Sequence, residues 1–173
     1  VEINDDNGCT TIQQVEILQP DQLSIVSTAD SVSCYGGNNG RIEANVSGGT
    51  RPYTYLWTPA GGTDSIATNL LAGNYSVRVT DSHNCSTTQS ATVLQPTRLS
   101  VISSVVNSTC GLANGEVNLT PSGGNAPYNF SWSPNVSSSA IATGLSPGNY
   151  TIVVKDANLC SRNLGVTVTT SSL

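Results

Sequence analysis

Cysteines, one histidine and three recurring aspartates are the residues of this 173-residue chain whose types could do chemistry. A thiol can become a nucleophile, a metal ligand or half of a disulfide, depending on what stands beside it. His83 is the sole imidazole, so Ser-His-Asp and Cys-His relays have one candidate base to draw on. The positions that match it by repeat hold Asn7 and Asn158, which makes His83 a turn residue rather than a base. No Cys-x-x-Cys pair occurs and no histidine completes a zinc set. Asp5, Asp81 and Asp156 each precede a cysteine, in Asp5…Cys9, Asp81…Cys85 and Asp156…Cys160. A carboxylate placed there can accept backbone N–H groups two or three residues on and fix a turn. Asp5-Asp6-Asn7 looks superficially like a calcium run. Calcium takes roughly six to eight oxygens, and the matching Asp81-Ser82-His83-Asn84 and Asp156-Ala157-Asn158-Leu159 supply too few. The expectation is therefore a structural turn at all three aspartates, with no metal, no cofactor and no catalytic residue.

The elements that position these residues recur. Sliding the chain on itself by about 75 residues brings Gly48-Gly49, Pro52-Tyr53 and Trp57 onto Gly123-Gly124, Pro127-Tyr128 and Trp132. Leu70 and Gly73-Asn74-Tyr75 fall on Leu145 and Gly148-Asn149-Tyr150, and Asp81 and Cys85 on Asp156 and Cys160. Cys34 matches Cys110 after a one-residue loop difference. Asp5, Cys9 and Leu18-Gln19-Pro20 match Asp81, Cys85 and Leu94-Gln95-Pro96. The reading is a C-terminal piece of a preceding repeat over 1–20, followed by repeats at 21–96 and 97–173.

Each repeat alternates with period two, the mark of strands with one buried face. Ile42, Ala44 and Val46 point one way, and Arg41, Glu43 and Asn45 the other. Tyr53, Tyr55 and Trp57 form a second inward row, matched by Tyr128, Phe130 and Trp132. Tyr75, Val77 and Val79 form a third, with Tyr150 at its head in the next copy. β-branched residues broken by Gly, Pro and Asn favour short strands and tight turns. The composition therefore points to an all-β chain: immunoglobulin-like antiparallel β-sandwich repeats, end to end, with Tyr53, Trp57, Tyr75, Tyr128, Trp132 and Tyr150 in the cores.

Within this register the cysteines suggest one disulfide per repeat, Cys34 with Cys85 and Cys110 with Cys160, leaving Cys9 without a partner. Closing such a loop of about 50 residues contributes about 4 kcal/mol in the chain-entropy model and implies an oxidising compartment. Free thiols are the alternative. The net charge is −5 and the six Lys and Arg are scattered, which argues against nucleic acid. No apolar run reaches the ~18 residues of a membrane span. Several Asn-x-Ser/Thr sequons occur, including those at Asn45, Asn74, Asn118 and Asn149.

Taken together, Cys34…Gly40, Gly48-Gly49…Pro52-Tyr53…Trp57, Leu70…Gly73-Asn74-Tyr75 and Val79-Thr80-Asp81…Cys85 resemble the SprB-type repeat of very large gliding-motility adhesins of Bacteroidetes. The resemblance implies type IX secretion, display outside the outer membrane, and neighbouring repeats and the gliding machinery as partners, with surface glycans as candidate targets. Two departures stand out: Cys110-Gly111-Leu112 lacks the usual Gly-Gly, and the last copy ends Val168-Thr169-Thr170-Ser171-Ser172-Leu173 without the Leu-Gln-Pro of its predecessors. The expected function is a non-enzymatic, semi-rigid stalk. A carbohydrate-binding module, which would need exposed aromatics, and an accessory segment of a secreted hydrolase are the rivals.

Overall fold

The computed structural model describes residues 1–171. It opens with an exposed antiparallel hairpin, β1 (Glu2–Asn4) and β2 (Thr10–Ile12). Six strands follow: β3 (Ser24–Asp30), β4 (Gly40–Ser47), β5 (Thr54–Thr58), β6 (Ile66–Leu70), β7 (Gly73–Thr80) and β8 (Ser86–Val93). They form two antiparallel sheets, in the orders β3-β4-β6 and β5-β7-β8. The pattern then returns as β9 (Ser100–Val106), β10 (Ser108–Thr109), β11 (Gly115–Ser122), β12 (Asn129–Ser133), β13 (Ile141–Leu145), β14 (Gly148–Lys155), β15 (Ser161–Val168) and β16 (Thr170–Ser171). Its sheets are β9-β11-β13 and β12-β14-β15, with β10 and β16 paired in parallel. The chain is thus all-β, with tandem immunoglobulin-like sandwiches.

Period-two alternation places one face of every long strand between the sheets. In the first sandwich Ile42, Ala44, Ala67 and Leu70 of one sheet meet Trp57, Tyr75, Val77, Val79 and Val93 of the other. Val117, Leu119, Ala142 and Leu145 meet Trp132, Tyr150, Ile152, Val154, Val166 and Val168 in the second. Both indoles are 5% exposed. Such a ring leaves one polar atom to satisfy, and each Nε1–H finds a backbone carbonyl: Asp64 O at 2.8 Å for Trp57, Ser139 O at 3.0 Å for Trp132. Tyr75 and Tyr150 enter the core from the start of β7 and β14. Each hydroxyl donates four residues back, to Leu71 O at 3.0 Å and Ser146 O at 2.8 Å, the tyrosine corner of immunoglobulin-like sandwiches.

The strand directions give every sandwich two distinct poles. β3 starts beside the end of β4, with Ser24 opposite Ser47, and finishes beside its start, with Asp30 opposite Arg41. The chain enters at the pole that holds the β4–β5 loop and the β7–β8 turn, where Thr50 and Asp81 are bonded. It leaves at the opposite pole, where the Val32 N–H, on the loop after β3, donates to Leu94 O, just past β8, at 2.9 Å. The second sandwich repeats this with Ser108 N–H and Thr169 O at 3.0 Å. One pole of each unit is an entrance and the other an exit, so successive units stack exit to entrance.

Candidate functional site

The entrance pole is built around an aspartate. The β7–β8 turn must reverse the chain over a few residues, which leaves several N–H groups pointing inward without a strand partner. Asp81 Oδ1 accepts the N–H groups of His83 and Cys85, both at 2.9 Å, and Oδ2 accepts Thr50 N–H at 3.0 Å from the β4–β5 loop. These bonds, Thr50's first, then those of Cys85 and His83, with the charge of His83 adding to them, hold the Asp81 carboxyl below the ordinary carboxylate range against the opposing effect of burial. Asp156 repeats the arrangement with Asn158, Cys160 and Asn125, each at 2.9 Å. In the N-terminal hairpin Asp5 accepts Asn7 N–H at 3.0 Å and Cys9 N–H at 2.8 Å. Each carboxylate therefore fixes a five-residue turn that ends in a cysteine. Among the described residues no cluster of three or more His, Cys, Asp or Glu is placed to hold a metal ion.

Gly48-Gly49 and Gly123-Gly124 complete this pole. All four have positive φ, which glycine adopts at no steric cost. A Cβ on Gly48 would collide with the backbone of Gln22, and one on Gly123 with that of Arg98. The glycines therefore let the incoming chain lie flat, and Gly49 N–H donates to Asp21 O at 2.7 Å and Gly124 N–H to Thr97 O at 2.8 Å. The Tyr53 and Tyr128 hydroxyls, their rings half-buried, close the loop on Gly48 O and Gly123 O at 2.6 and 2.7 Å.

The exit pole presents the other cysteine of each repeat. Asn39 accepts Ser33 N–H at 2.9 Å and donates to Ser33 Oγ at 2.6 Å. Asn114 does the same to Thr109, at 2.9 and 2.8 Å. The residue just before Cys34 and Cys110 is thereby clamped in both copies. This clamp was missed in reading the sequence, although Asn39-Gly40 and Asn114-Gly115 recur there.

The two poles meet between the sandwiches, and here the structure corrects the expected pairing. Cys34 is bonded to Cys160 of the next sandwich, with the Cα atoms 5.7 Å apart, while Cys85, Cys110 and Cys9 are exposed and unbonded. Neither Cys34–Cys85 nor Cys110–Cys160 forms. The reason is polarity. Cys85 directly precedes β8, and the eight residues of that strand carry the chain roughly 27 Å to the pole where Cys34 lies. A disulfide needs Cα atoms within about 7 Å. Matched cysteines lie at opposite ends of their own sandwich and at adjoining ends of neighbours. The bridge spans 126 residues of sequence, which raises the loop-closure contribution to about 5 kcal/mol in the chain-entropy model.

Further contacts surround the bridge. Asn158 Nδ2 donates to Ser33 O at 2.9 Å across the junction, and Cys160 Sγ lies 3.5 Å from the same oxygen. The connecting segment is pinned from both sides: Gly36 N–H holds the Gln95 side chain at 2.9 Å, and Gly124 N–H holds Thr97 O. Pro96 alone lies between those anchors, with its φ restrained by the ring. Tyr35, Arg98, Arg162 and Asp156 help line a cleft of about 500 Å³ beside the disulfide.

The residues singled out from the sequence thus fall into three places. Trp57, Trp132, Tyr75 and Tyr150 are buried inside the sandwiches, Tyr53 and Tyr128 are partly buried and packed against the same cores, and the aspartates and cysteines lie at the poles. His83 is exposed in its turn. The aromatic rows expected of a sugar platform have their indoles buried.

The family described as SprB repeat matches residues 26–62 and 102–137. No curated protein matches the chain. Among solved structures, the chain is similar to the C-terminal 282-residue fragment of intimin in complex with the intimin-binding domain of its translocated receptor. That match has 19% identity and a TM-score of 0.44, over 84% of this chain and 63% of the fragment. An amphioxus IgVJ-C2 molecule matches at 14% identity and TM-score 0.39, over 80% of this chain and 99% of that one. Murine CEACAM1b matches at 13% and 0.34, over 84% of this chain and 100% of that one.

Proposed function

We propose that this chain, which carries SprB repeats at 26–62 and 102–137, is a mechanical spacer: a semi-rigid stalk segment of a large extracellular adhesin, with no catalytic role. In this reading residues 1–20 are the end of one repeat, and 21–96 and 97–173 are two more. The stalk belongs to a cell-surface filament of the gliding-motility kind, exported by type IX secretion, which projects adhesive contacts towards surface glycans or other targets. The observation that carries the reading is the junction, where one proline separates two anchored residues and a disulfide spans the gap. A flexible linker would let the sandwiches tumble separately. A pinned one transmits direction and force from unit to unit. The bridge also calls for an oxidising environment, in keeping with an extracellular location.

Small-angle scattering tests the mechanical part. The oxidised chain is expected to show one narrow distance distribution, and Cys34→Ser a broader one. Equal breadth in both would reject the junction as the stiffening element. Antibodies against residues 21–173 test the location on intact producing cells, where labelling without permeabilisation is expected. Labelling only after lysis would overturn the surface assignment.

A further inference from the structure

Cys85 occupies the same place in its sandwich as the bonded Cys160, and Cys110 stands at the exit pole as Cys34 does, directly after the clamped residue but one position further into its turn. Cys85 ends an entrance turn whose bonds match those of Cys160: Asp81 N–H to Cys85 O at 2.9 Å against Asp156 N–H to Cys160 O at 3.0 Å, with Asn84 and Leu159 both at φ 64°. Cys110 follows an exit-pole residue clamped by Asn114 as Ser33 is clamped by Asn39. Both thiols are exposed. They are more than isolated cysteines, because the structure shows what their counterparts do: an exit-pole cysteine bonds the entrance-pole cysteine of the sandwich stacked on it.

We propose that Cys110 and Cys85 are the two open halves of a second junction of this kind, and that the partner of each is the opposite pole of another SprB repeat. Cys110 takes the entrance cysteine of a following repeat, and Cys85 takes the exit cysteine of a preceding one. A run of such repeats is then bridged once at every boundary, forming a covalent ladder in which no disulfide lies inside a unit. Under tension, the bridge at each boundary bypasses the connecting segment. The idea rests on the tandem-repeat part of the reading above and is independent of where the protein resides.

The bond forms by thiol–disulfide exchange with a small disulfide oxidant such as oxidised glutathione. The Cys110 thiolate attacks one oxidant sulfur, giving a mixed disulfide and releasing one thiol. The Cys85 thiolate of the partner then attacks the Cys110 sulfur and releases the second. Two protein thiols lose two electrons, the oxidant disulfide gains them, and the two thiol protons pass to the released thiols. At this junction His83 stands where Asn158 stands in the closed one, and an imidazole N–H can donate to the Thr109 carbonyl as Asn158 does to Ser33 O.

The probe is a second copy of the chain. Concentrated protein carrying Cys9→Ser, which leaves a single open entrance thiol, is incubated in glutathione redox buffer. It is then resolved on non-reducing gels, and its cross-linked peptides are mapped by mass spectrometry. The expected result is a head-to-tail ladder joined by Cys110–Cys85 peptides, lost when either Cys85→Ser or Cys110→Ser is added. The Cys34–Cys160 peptide in the same digest reports that each variant is folded. Monomers alone, or symmetric Cys85–Cys85 and Cys110–Cys110 dimers, would overturn the proposal while leaving the surface location untouched. Absence of cell-surface labelling would overturn the location and leave the ladder standing.

Discussion

The two sandwiches have interchangeable cores and unlike exits. Ile42, Trp57, Leu70, Tyr75, Val77 and Val79 have counterparts of matching burial in Val117, Trp132, Leu145, Tyr150, Ile152 and Val154, and the indole and phenol bonds repeat partner for partner. At the exit pole the first sandwich bonds Val32 to Leu94, and the chain then departs through Gln95 and Pro96 into the next unit. The second makes the equivalent Ser108–Thr169 bond and runs on, with Thr170 and Ser171 pairing in parallel with Ser108 and Thr109. Pro96 has no N–H with which to extend such a ladder, whereas Ser171 at the matching position has one. The turns differ as well. Gly37 N–H closes on Cys34 O, but Leu112 N–H closes on Thr109 O, which places Cys110 inside its turn at φ 53°. A core is set by volume and alternation, which both copies share. An exit is set by the residues that follow the last strand and by one residue of loop length.

Emptying either core should have the largest effect, and the same effect in both sandwiches. Trp57→Ala and Trp132→Ala are each expected to cost about 3 to 5 kcal/mol, in equal measure, seen as lower denaturant midpoints for the corresponding sandwich. Unequal losses would show that the cores are not equivalent. Below that effect lies Asp156→Ala, which strands the N–H groups of Asn125, Asn158 and Cys160 and is expected to cost about 2 to 4 kcal/mol. Asp156 is fully buried and its turn carries the bridged Cys160, whereas the Asp81 turn ends in a free thiol. Asp156→Ala should therefore destabilise more than Asp81→Ala in chemical denaturation. Equal losses would mean that the junction adds nothing to the turn beneath it.

Tyr75→Phe and Tyr150→Phe probe the equivalence of the two corners with a smaller change. Each removes a single hydroxyl and leaves the Leu71 or Ser146 carbonyl without its donor, an expected loss of about 1 kcal/mol. The two values should agree, since the corners are alike. A large difference in thermal melts would place unequal strain at the turns into β7 and β14.

The contrast also explains what could be read from the residues in order. The inward rows around Trp57 and Trp132 were legible because period-two alternation is local to each strand, and the repeat register shows the pattern twice. The turns at Asp81 and Asp156 were legible for the same reason, since donor and acceptor lie within five residues. The partner of Cys34 was not. Spacing along a chain says how far apart two cysteines are in sequence and nothing of which end of a sandwich each occupies. That depends on strand direction, settled by pairings such as Ser24 opposite Ser47 and Gly40 opposite Leu70. Counting strands would have helped: a full strand, β8, separates Cys85 from the pole of Cys34. The tyrosine corners were half visible, as Gly73-Asn74-Tyr75 and Gly148-Asn149-Tyr150 marked the position without revealing the backward bond.

The smallest effect concerns pH, at the entrance turn whose thiol is free. The N–H groups of Thr50, Cys85 and His83 favour the ionised Asp81, so its folded pKa lies below the unfolded one. A depressed carboxylate contributes stability that is present in full above the unfolded value near 4 and is lost as pH falls through the lower folded value. Asp81→Asn removes this acid-side dependence, because an amide does not titrate and its Oδ1 can still accept from the turn. Melting temperature followed downwards from neutral pH should fall less steeply below about pH 4 in the variant than in the parent chain. Parallel curves would mean that the Asp81 bonds are equally available in the unfolded chain, and that this turn is held by its glycines and tyrosine rather than by charge.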